Sequence, residues 1–373
     1  MTTPTSQPAV DDVFAEVAVS CGFMVPDQVQ LCRDAVRDAQ AHGRGQVTLS
    51  SVAFERKLLT AWQVETIEQV LMDRSLRPRL GGLEFIERIG GGGMGTVYKA
   101  RQVGLDRIVA VKVIKPELAG DAQFVARFER EARLAAQIWH PKAIQVFDVG
   151  FDLGRHYMVM EYVDGVPLSE ILHGPCMDEA WALQVIRDVA EPLGKAHSLG
   201  IIHRDIKPGN VLVGRDGTAR LSDLGLAKST LGRDELTLTH TGHAAGTPYY
   251  MSPEQCRGDR EPDERTDIYS LGIMLFLMVC GRLPFEGPTP FVVMQKQLSE
   301  PLPNPLSINP SLSTAVAELI RDMTAKRRKD RLQTCGEVLA RIAAILAVLP
   351  PAAVHELDTV VVRSKQSARP REL

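Results

Sequence analysis

The chain has 373 residues, 45% of them hydrophobic and 24% charged, and a formal net charge of −3. This is the composition of a soluble globular protein with room for more than one domain, and it gives no bulk pull towards nucleic acid or an anionic membrane. Six cysteines (Cys21, Cys32, Cys176, Cys256, Cys280, Cys335) lie far apart, which reads as reduced thiols in a cytoplasmic protein, not a disulfide framework or a zinc site.

The opening Met1-Thr2-Thr3-Pro4-Thr5 lacks a basic stretch followed by an apolar core, so no signal peptide is expected. Residues 1–10 are Pro/Thr-rich and expected to be disordered. Residues 11–76 read as a small all-α unit with an internal repeat. Phe14-Ala15-Glu16-Val17-Ala18-Val19 recurs as Leu49-Ser50-Ser51-Val52-Ala53-Phe54, and Gln28-Val29 as Gln63-Val64, at one offset of 35 residues. Each copy predicts a short helix, a turn and a second helix (27–36, then 62–72), so two hairpins would pack as a four-helix unit. Arg77 to Gly82 breaks the pattern and predicts a linker over 77–82.

From residue 83 the pattern turns strand-rich, with strands expected over 83–89, 96–101, 108–114, 144–149 and 157–162, and one helix over 124–139. After Leu168 helices dominate, with short strands at 211–213 and 219–221. The longest apolar run, Ile268 to Cys280, falls short of the roughly 20 residues of a membrane helix and predicts a helix buried on all sides. No membrane span is expected. Residues 349–373 read as a mobile basic tail.

Gly90-Gly91-Gly92-Gly93-Met94-Gly95-Thr96-Val97 is a G-x-G-x-x-G-x-V pattern between two strand-like segments. Without Cβ atoms the backbone can approach phosphates closely. A dinucleotide fold would continue into a helix, whereas Val97-Tyr98-Lys99-Ala100 continues as a strand, favouring a hairpin lid over ATP. Lys112 sits inside the apolar run Ile108 to Ile114, and a buried strand does not hold an ammonium without a partner. Glu131 falls on the apolar stripe Phe124, Phe128, Ala135, Ile138 of the next helix and is the candidate partner. His203-Arg204-Asp205-Ile206-Lys207-Pro208-Gly209-Asn210 then supplies a carboxylate, a cation and an amide within six residues. Thirteen residues after Asn210 comes Asp223-Leu224-Gly225. Phosphoryl transfer needs an acceptor for the hydroxyl's proton, positive charge at the γ-phosphate and oxygen ligands for Mg²⁺.

These motifs, in this order, resemble the eukaryotic-type (Hanks-type) protein kinase family, and most closely its bacterial Ser/Thr branch. The resemblance covers residues 83–348. It implies an α+β, two-lobed protein kinase fold, with a small β-rich lobe and a larger α-helical lobe, here preceded by the all-α unit. It implies that Asp205 is the catalytic base, with Lys207 at the γ-phosphate and Lys112 paired to Glu131. Asn210 and Asp223 would bind Mg²⁺ or Mn²⁺. Gly90, Gly92, Gly95, Val97, Ala110, Lys112, Met160 (gatekeeper), Glu161 and Val163 would contact ATP. Gly246-Thr247-Pro248 through Ser252-Pro253-Glu254 resembles the segment that grips a polypeptide acceptor, with Arg331 as the partner of Glu254 and Asp267 as a brace for the catalytic loop.

Lys207 and Thr247 resemble the Ser/Thr branch, so the implied partners are proteins with Ser or Thr acceptors, and no nucleic acid. The implied alternative is an ATP-binding pseudokinase scaffold, although none of Lys112, Asp205 and Asp223 is lost. Arg204 would dock a phosphorylated activation segment, with Thr239 and Thr241 as the expected phosphosites. The N-terminal helices could dock a partner, inhibit the kinase or cap it. The sequence departs from the family in Leu224 for phenylalanine, in Ser252 for alanine and in the absence of a proline before Arg331. The basic run Lys326 to Arg331 is expected to be a solvated loop.

Overall fold

A computed structural model of the chain describes residues 7–41, 47–72, 79–152, 155–172, 176–223, 248–259 and 262–350. It divides into two units. One holds residues 1–129 and 146–162, the other residues 130–145 and 163–373.

The first unit opens with α1 (Gln7–Ser20), α2 (Pro26–Ala41), α3 (Leu49–Glu55) and α4 (Ala61–Met72). Helix α1 begins at Gln7, so the last four residues of the stretch expected to be disordered are helical. The two hairpins match each other at an offset of 35 residues. Core positions Phe14, Ala18, Met24 and Cys32 correspond to Leu49, Ala53, Leu59 and Ile67, all buried. The amides of Phe23 and Met24 both donate to the Ala18 carbonyl, and those of Leu58 and Leu59 both donate to that of Ala53. The turn needs a left-handed residue, Gly22 (φ 67°) in the first copy and Lys57 (φ 58°) in the second. A side-chain cap also recurs, Gln28 Oε1 accepting from Val25 N at 3.1 Å and Gln63 Oε1 from Thr60 N at 2.8 Å.

The rest of this unit is a six-stranded antiparallel sheet in the order β1-β2-β3-β4-β6-β5. Its strands are β1 (Arg79–Leu80), β2 (Leu83–Gly91), β3 (Gly95–Gln102), β4 (Arg107–Ile114), β5 (Val146–Asp152) and β6 (Arg155–Glu161), with α5 (Pro116–Ala119) after β4. The expected linker therefore contains a strand: Leu80 pairs with Leu83, and Gly81 N donates to Asp152 Oδ2 at 2.8 Å.

Strand alternation assigns the two faces of this sheet different work. Phe85, Tyr98, Ala100, Val109, Val111, Tyr157 and Val159 form one buried cluster, and Trp62 of α4 packs against it. Phe23 meets Trp62 edge-on at 5.5 Å between ring centroids. Arg155, buried, lies over the same indole at 5.8 Å and donates to Thr60 Oγ1 at 3.3 Å. The helical hairpins thus cover this face.

In the second unit β7 (Gly165–Pro167), β8 (Val211–Gly214) and β9 (Ala219–Leu221) form a small antiparallel sheet, with α7 (Leu168–Ile171) and α8 (Glu179–Ser198) between β7 and β8. Helices α9 (Pro253–Arg257), α10 (Arg265–Cys280), α11 (Pro290–Ser299), α12 (Pro305–Ile308), α13 (Thr314–Met323) and α14 (Cys335–Leu346) follow. From Thr266 to Cys280 every residue of α10 except Leu277 is buried, as its uniform apolarity requires. Helix α6 (Ala122–Ala135) contains the unit boundary and ends four residues before Trp139, which is 76% exposed, not helical as expected.

Candidate active site

In the first unit β2 and β3 form a hairpin whose tip is Gly92-Gly93-Met94, closed by Gly92 N donating to Gly95 O at 2.9 Å. The glycines differ in what demands them. A Cβ on Gly95 would collide with the carbonyl of Val113, so backbone packing of β3 on β4 alone requires glycine there. A Cβ on Gly92 or Gly93 would meet nothing within 4 Å, and on Gly90 only Val97 at 3.9 Å. Packing does not explain those three, whose missing Cβ atoms leave the backbone open to close approach.

Gly90 pairs with Val97, Val97 with Lys112, and Lys112 with Met158, one row across four strands. Ala110 pairs with Met160 one step along. Register partners and alternate residues share a face, so Val97, Ala110, Lys112 and Met160 lie together on the face opposite the buried cluster. Lys112 is half-buried between the buried Val111 and the half-buried Val113. Glu161 pairs with Val109 at the end of the β4–β6 ladder. Glu131, in the second unit, is buried on α6, the apolar-face position expected of it, and Val163 there is half-buried.

The remaining candidates come together in the second unit. Lys207 Nζ donates to Asp205 Oδ2 at 2.7 Å. Asn210 Nδ2 donates to Asp205 O at 2.8 Å and Oδ2 at 3.1 Å. The Asn210 amide nitrogen is directed at Asp205, which leaves its amide oxygen as an acceptor. Pro208-Gly209-Asn210 is a 3-10 turn that returns the chain into β8.

The loop bearing Asp205 is clamped from beneath. The buried Asp267 carboxylate accepts from His203 N at 2.9 Å, Arg204 N at 2.7 Å and the His197 ring at 2.8 Å. Gln255 Nε2 donates to Arg204 O at 2.8 Å, so both backbone polar groups of Arg204 are held. That matters because Arg204 is left-handed (φ 63°), as is Asp223 (φ 54°). Such backbone costs about 1–3 kcal/mol per residue and persists only where its surroundings dictate it. His203 Nδ1 accepts from Asp205 N at 3.3 Å, so the ring proton sits on Nε2, which donates to Ser222 O at 3.1 Å. Ser222 also donates through its amide to Asn210 O at 2.9 Å and through its hydroxyl at 3.0 Å. Asp205, Asn210 and the residue preceding Asp223 are thereby one hydrogen-bonded assembly.

The model of the protein kinase domain matches residues 83–341. The chain is 37% identical over 264 residues to serine/threonine-protein kinase PrkC of Bacillus subtilis (strain 168), covering 70% of this chain and 40% of that protein. It is 39% identical over 277 residues to serine/threonine-protein kinase PknB of Mycobacterium tuberculosis (strain ATCC 25618 / H37Rv), covering 72% and 44%. Among solved structures, the PknI kinase domain of Mycobacterium tuberculosis superposes with a TM-score of 0.57 at 25% identity, over 72% of this chain and 97% of that one. The chain belongs to the protein kinase family. It spans less than half the length of these curated relatives.

Within the kinase domain several supports had no signal in the motifs. Gln255 reaches the catalytic loop from 51 residues away, and His197 shares the Asp267 carboxylate from α8. The basic run is a solvated loop only in part: Arg327, Lys329 and Asp330 are exposed, and the other three are not. Arg331 is fully buried against Glu254 (Nη1 to Oε1, 2.8 Å), and Arg328 bonds to Asp263 at 3.1 Å. Lys326 Nζ sits 4.0 Å from the Phe285 ring centroid and donates to Gln297 O at 2.8 Å; burial lowers its pKa to about 8. For Glu254, burial works to raise the pKa, but the Arg331 guanidinium outweighs it and holds the carboxyl below its ordinary value. Thr239, Thr241 and Thr247 lie outside the described residues, and no helix among those described is long and apolar enough to cross a membrane.

Proposed function

We propose that this chain is a protein serine/threonine kinase that moves the γ-phosphate of ATP to Ser or Thr hydroxyls of proteins, itself included. The observation that carries it is the Asp205–Lys207–Asn210 cluster, clamped through Asp267 and Gln255 in left-handed backbone. A carboxylate so fixed orients an acceptor hydroxyl and takes its proton late in transfer, while the adjacent ammonium offers positive charge to the phosphoryl oxygens. Positioning of this kind is most of what phosphoryl transfer asks of a protein.

Membership of the family implies use of ATP and a divalent metal in general terms. The Asn210 amide oxygen and the Asp223 carboxylate are hard donors that fit Mg²⁺ or Mn²⁺, and such an ion, when bound, neutralises phosphate charge. Lys112 is assigned to the α- and β-phosphates, with Glu131 as the partner that the family resemblance implies. The backbone at Gly90, Gly92 and Gly95 covers them. Val97, Ala110 and Met160 supply an apolar face to adenine, and the backbone from Glu161 to Val163 reads its edge. Autophosphorylation at Thr239 and Thr241 would create an anion for Arg204 to hold. Of the roles open to the N-terminal helices, partner docking, inhibition and capping, the packing of Trp62 on the sheet supports the cap.

The test is transfer of labelled γ-phosphate from Mg-ATP to the protein itself, with Asp205→Asn as control. Label on Ser or Thr is expected in the wild type and at least a hundredfold less in the variant. ATP binding with no label in either protein would overturn the kinase reading in favour of a scaffold.

A further inference from the structure

A cavity of about 400 Å³ opens beside the catalytic loop, lined by Ser169, Leu172, Lys207, Pro208, Gly209, Tyr250 and Leu277. Its walls explain an anomaly in α10. That helix is otherwise buried from Thr266 to Cys280, yet Leu277 is half-exposed, and it borders this space. Leu172, also half-buried, comes from the end of α7, and Pro208 and Gly209 come from the 3-10 turn that carries Asn210.

Among the described residues the lining contains no carboxylate. The one cation among those described residues, Lys207, is paired with Asp205 at 2.7 Å. A basic side chain entering here would find no counter-charge and would meet Lys207. An acidic one would lose its hydration to leucine and proline walls for a cation that is largely neutralised. An aliphatic or aromatic side chain loses nothing and covers Leu172, Pro208 and Leu277. Because Lys207 both lines the cavity and touches Asp205, an occupant lies close to the hydroxyl that Asp205 would orient. Extended chain advances at most about 3.3–3.6 Å per residue, so the occupant belongs to a residue near the acceptor in sequence.

We propose that this cavity is the specificity subsite for a large apolar side chain of the acceptor polypeptide, within three residues of the phosphorylated Ser or Thr. This rests on the kinase reading above and names its substrate class more closely. Gly209 offers a direct handle. A Cβ there would meet only Ser169 Oγ, at 4.0 Å, and the backbone is not left-handed, so a longer side chain can be built into the cavity without strain.

The experiment is a positional peptide array around a fixed threonine, read as incorporated phosphate for the wild type, Gly209→Glu and Leu172→Asp. Rates are compared between peptides for each enzyme, so a change in overall activity cancels, and self-phosphorylation is recorded in parallel. In the wild type, Leu, Ile, Met or Phe should exceed Arg and Glu at least fivefold at one position within three of the threonine. Gly209→Glu should reverse that order at the same position, favouring Arg or Lys at least fivefold, and Leu172→Asp should remove the apolar preference. Wild-type transfer without apolar selection, or an unchanged preference in Gly209→Glu, would overturn the subsite while leaving the kinase standing. No transfer to peptides or to the chain itself would sink the kinase reading and this one with it.

Discussion

Replacing Trp62 with alanine tests whether the N-terminal helices are an integral cover of the strand-rich unit. Full removal of a buried Phe or Trp side chain costs about 3–5 kcal/mol, and Trp62 is half-buried, which scales the loss to roughly 2 kcal/mol. The edge-on contact with Phe23 adds about 0.5–1 kcal/mol, and the Arg155 guanidinium at 5.8 Å adds about 0.5 kcal/mol. The sum, about 3 kcal/mol, corresponds to a fall in Tm of roughly 5–10 °C for a domain of this size. Thermal unfolding followed by near-UV circular dichroism measures it. Phe54→Ala, at a side chain 51% exposed, is the control and should stay within about 0.5 kcal/mol of wild type. Trp62→Ala shifting Tm by less than 1 °C would refute the reasoning. So would a chain lacking residues 1–72 that melts like the whole protein and keeps the same oligomeric state, since that deletion bares Phe85, Tyr98, Val111 and Val159.

Five further outcomes rest on the geometry. Arg331→Met should cost about 3–5 kcal/mol by stranding the fully buried Glu254, whereas pairing it with Glu254→Leu should recover most of that, a double-mutant cycle readable by urea unfolding. Glu254 has a depressed folded pKa, so its contribution is present above the unfolded carboxylate value and lost as pH falls through the folded one. Glu254→Gln should therefore flatten the acid limb of the stability–pH curve. Lys326 also has a lowered folded pKa, about 8 against 10.5, because burial disfavours the ammonium, so the native protein should gain stability from pH 8 to 10.5, a rise that Lys326→Met should lack in the same titration. Lys57→Gly, which gives the second hairpin the glycine of the first, should stabilise the chain by about 1 kcal/mol in denaturant unfolding, because left-handed backbone penalises a Cβ. Gly95→Ala should destabilise by at least about 2 kcal/mol through its clash with the Val113 carbonyl, whereas Gly93→Ala should leave Tm unchanged.

What could be read from the sequence was chemistry concentrated in short stretches. Asp205, Lys207 and Asn210 stand within six residues, and the structure needs only one tight turn to gather them. The apolar run Ile108 to Ile114, broken only by Lys112, showed a buried strand, and the uniform apolarity of Ile268 to Cys280 showed a helix with no solvent face. Supports that join distant segments were not legible. Gln255 meets Arg204 through one amide group, and nothing in its neighbourhood sets it apart from an ordinary helix-start glutamine. In the basic run Arg331 was legible as the partner of Glu254, but Lys326 and Arg328 were not, because charge in sequence suggests water and each of them finds a carbonyl, ring or carboxylate. The strand Arg79–Leu80 inside the expected linker was not legible because two residues carry no periodicity of their own; pairing with β2 and the Asp152 carboxylate hold Leu80 and Gly81. The left-handed turn at Lys57 had no glycine to announce it, although the matching Gly22 stood 35 residues earlier.

Strand β4 has one further consequence, which concerns error. Along it, Val109, Val111 and Val113 look towards the face covered by Trp62, and Ala110 and Lys112 look the other way. Sliding β4 by a single residue against its neighbours would exchange the two sets, driving an ammonium beneath the indole and leaving a valine where the lysine belongs. The apolar cover thus penalises the same misalignment that would disable the chemistry. The helical hairpins proofread the strand, and a chain that folds at all in this unit folds with its lysine on the correct side.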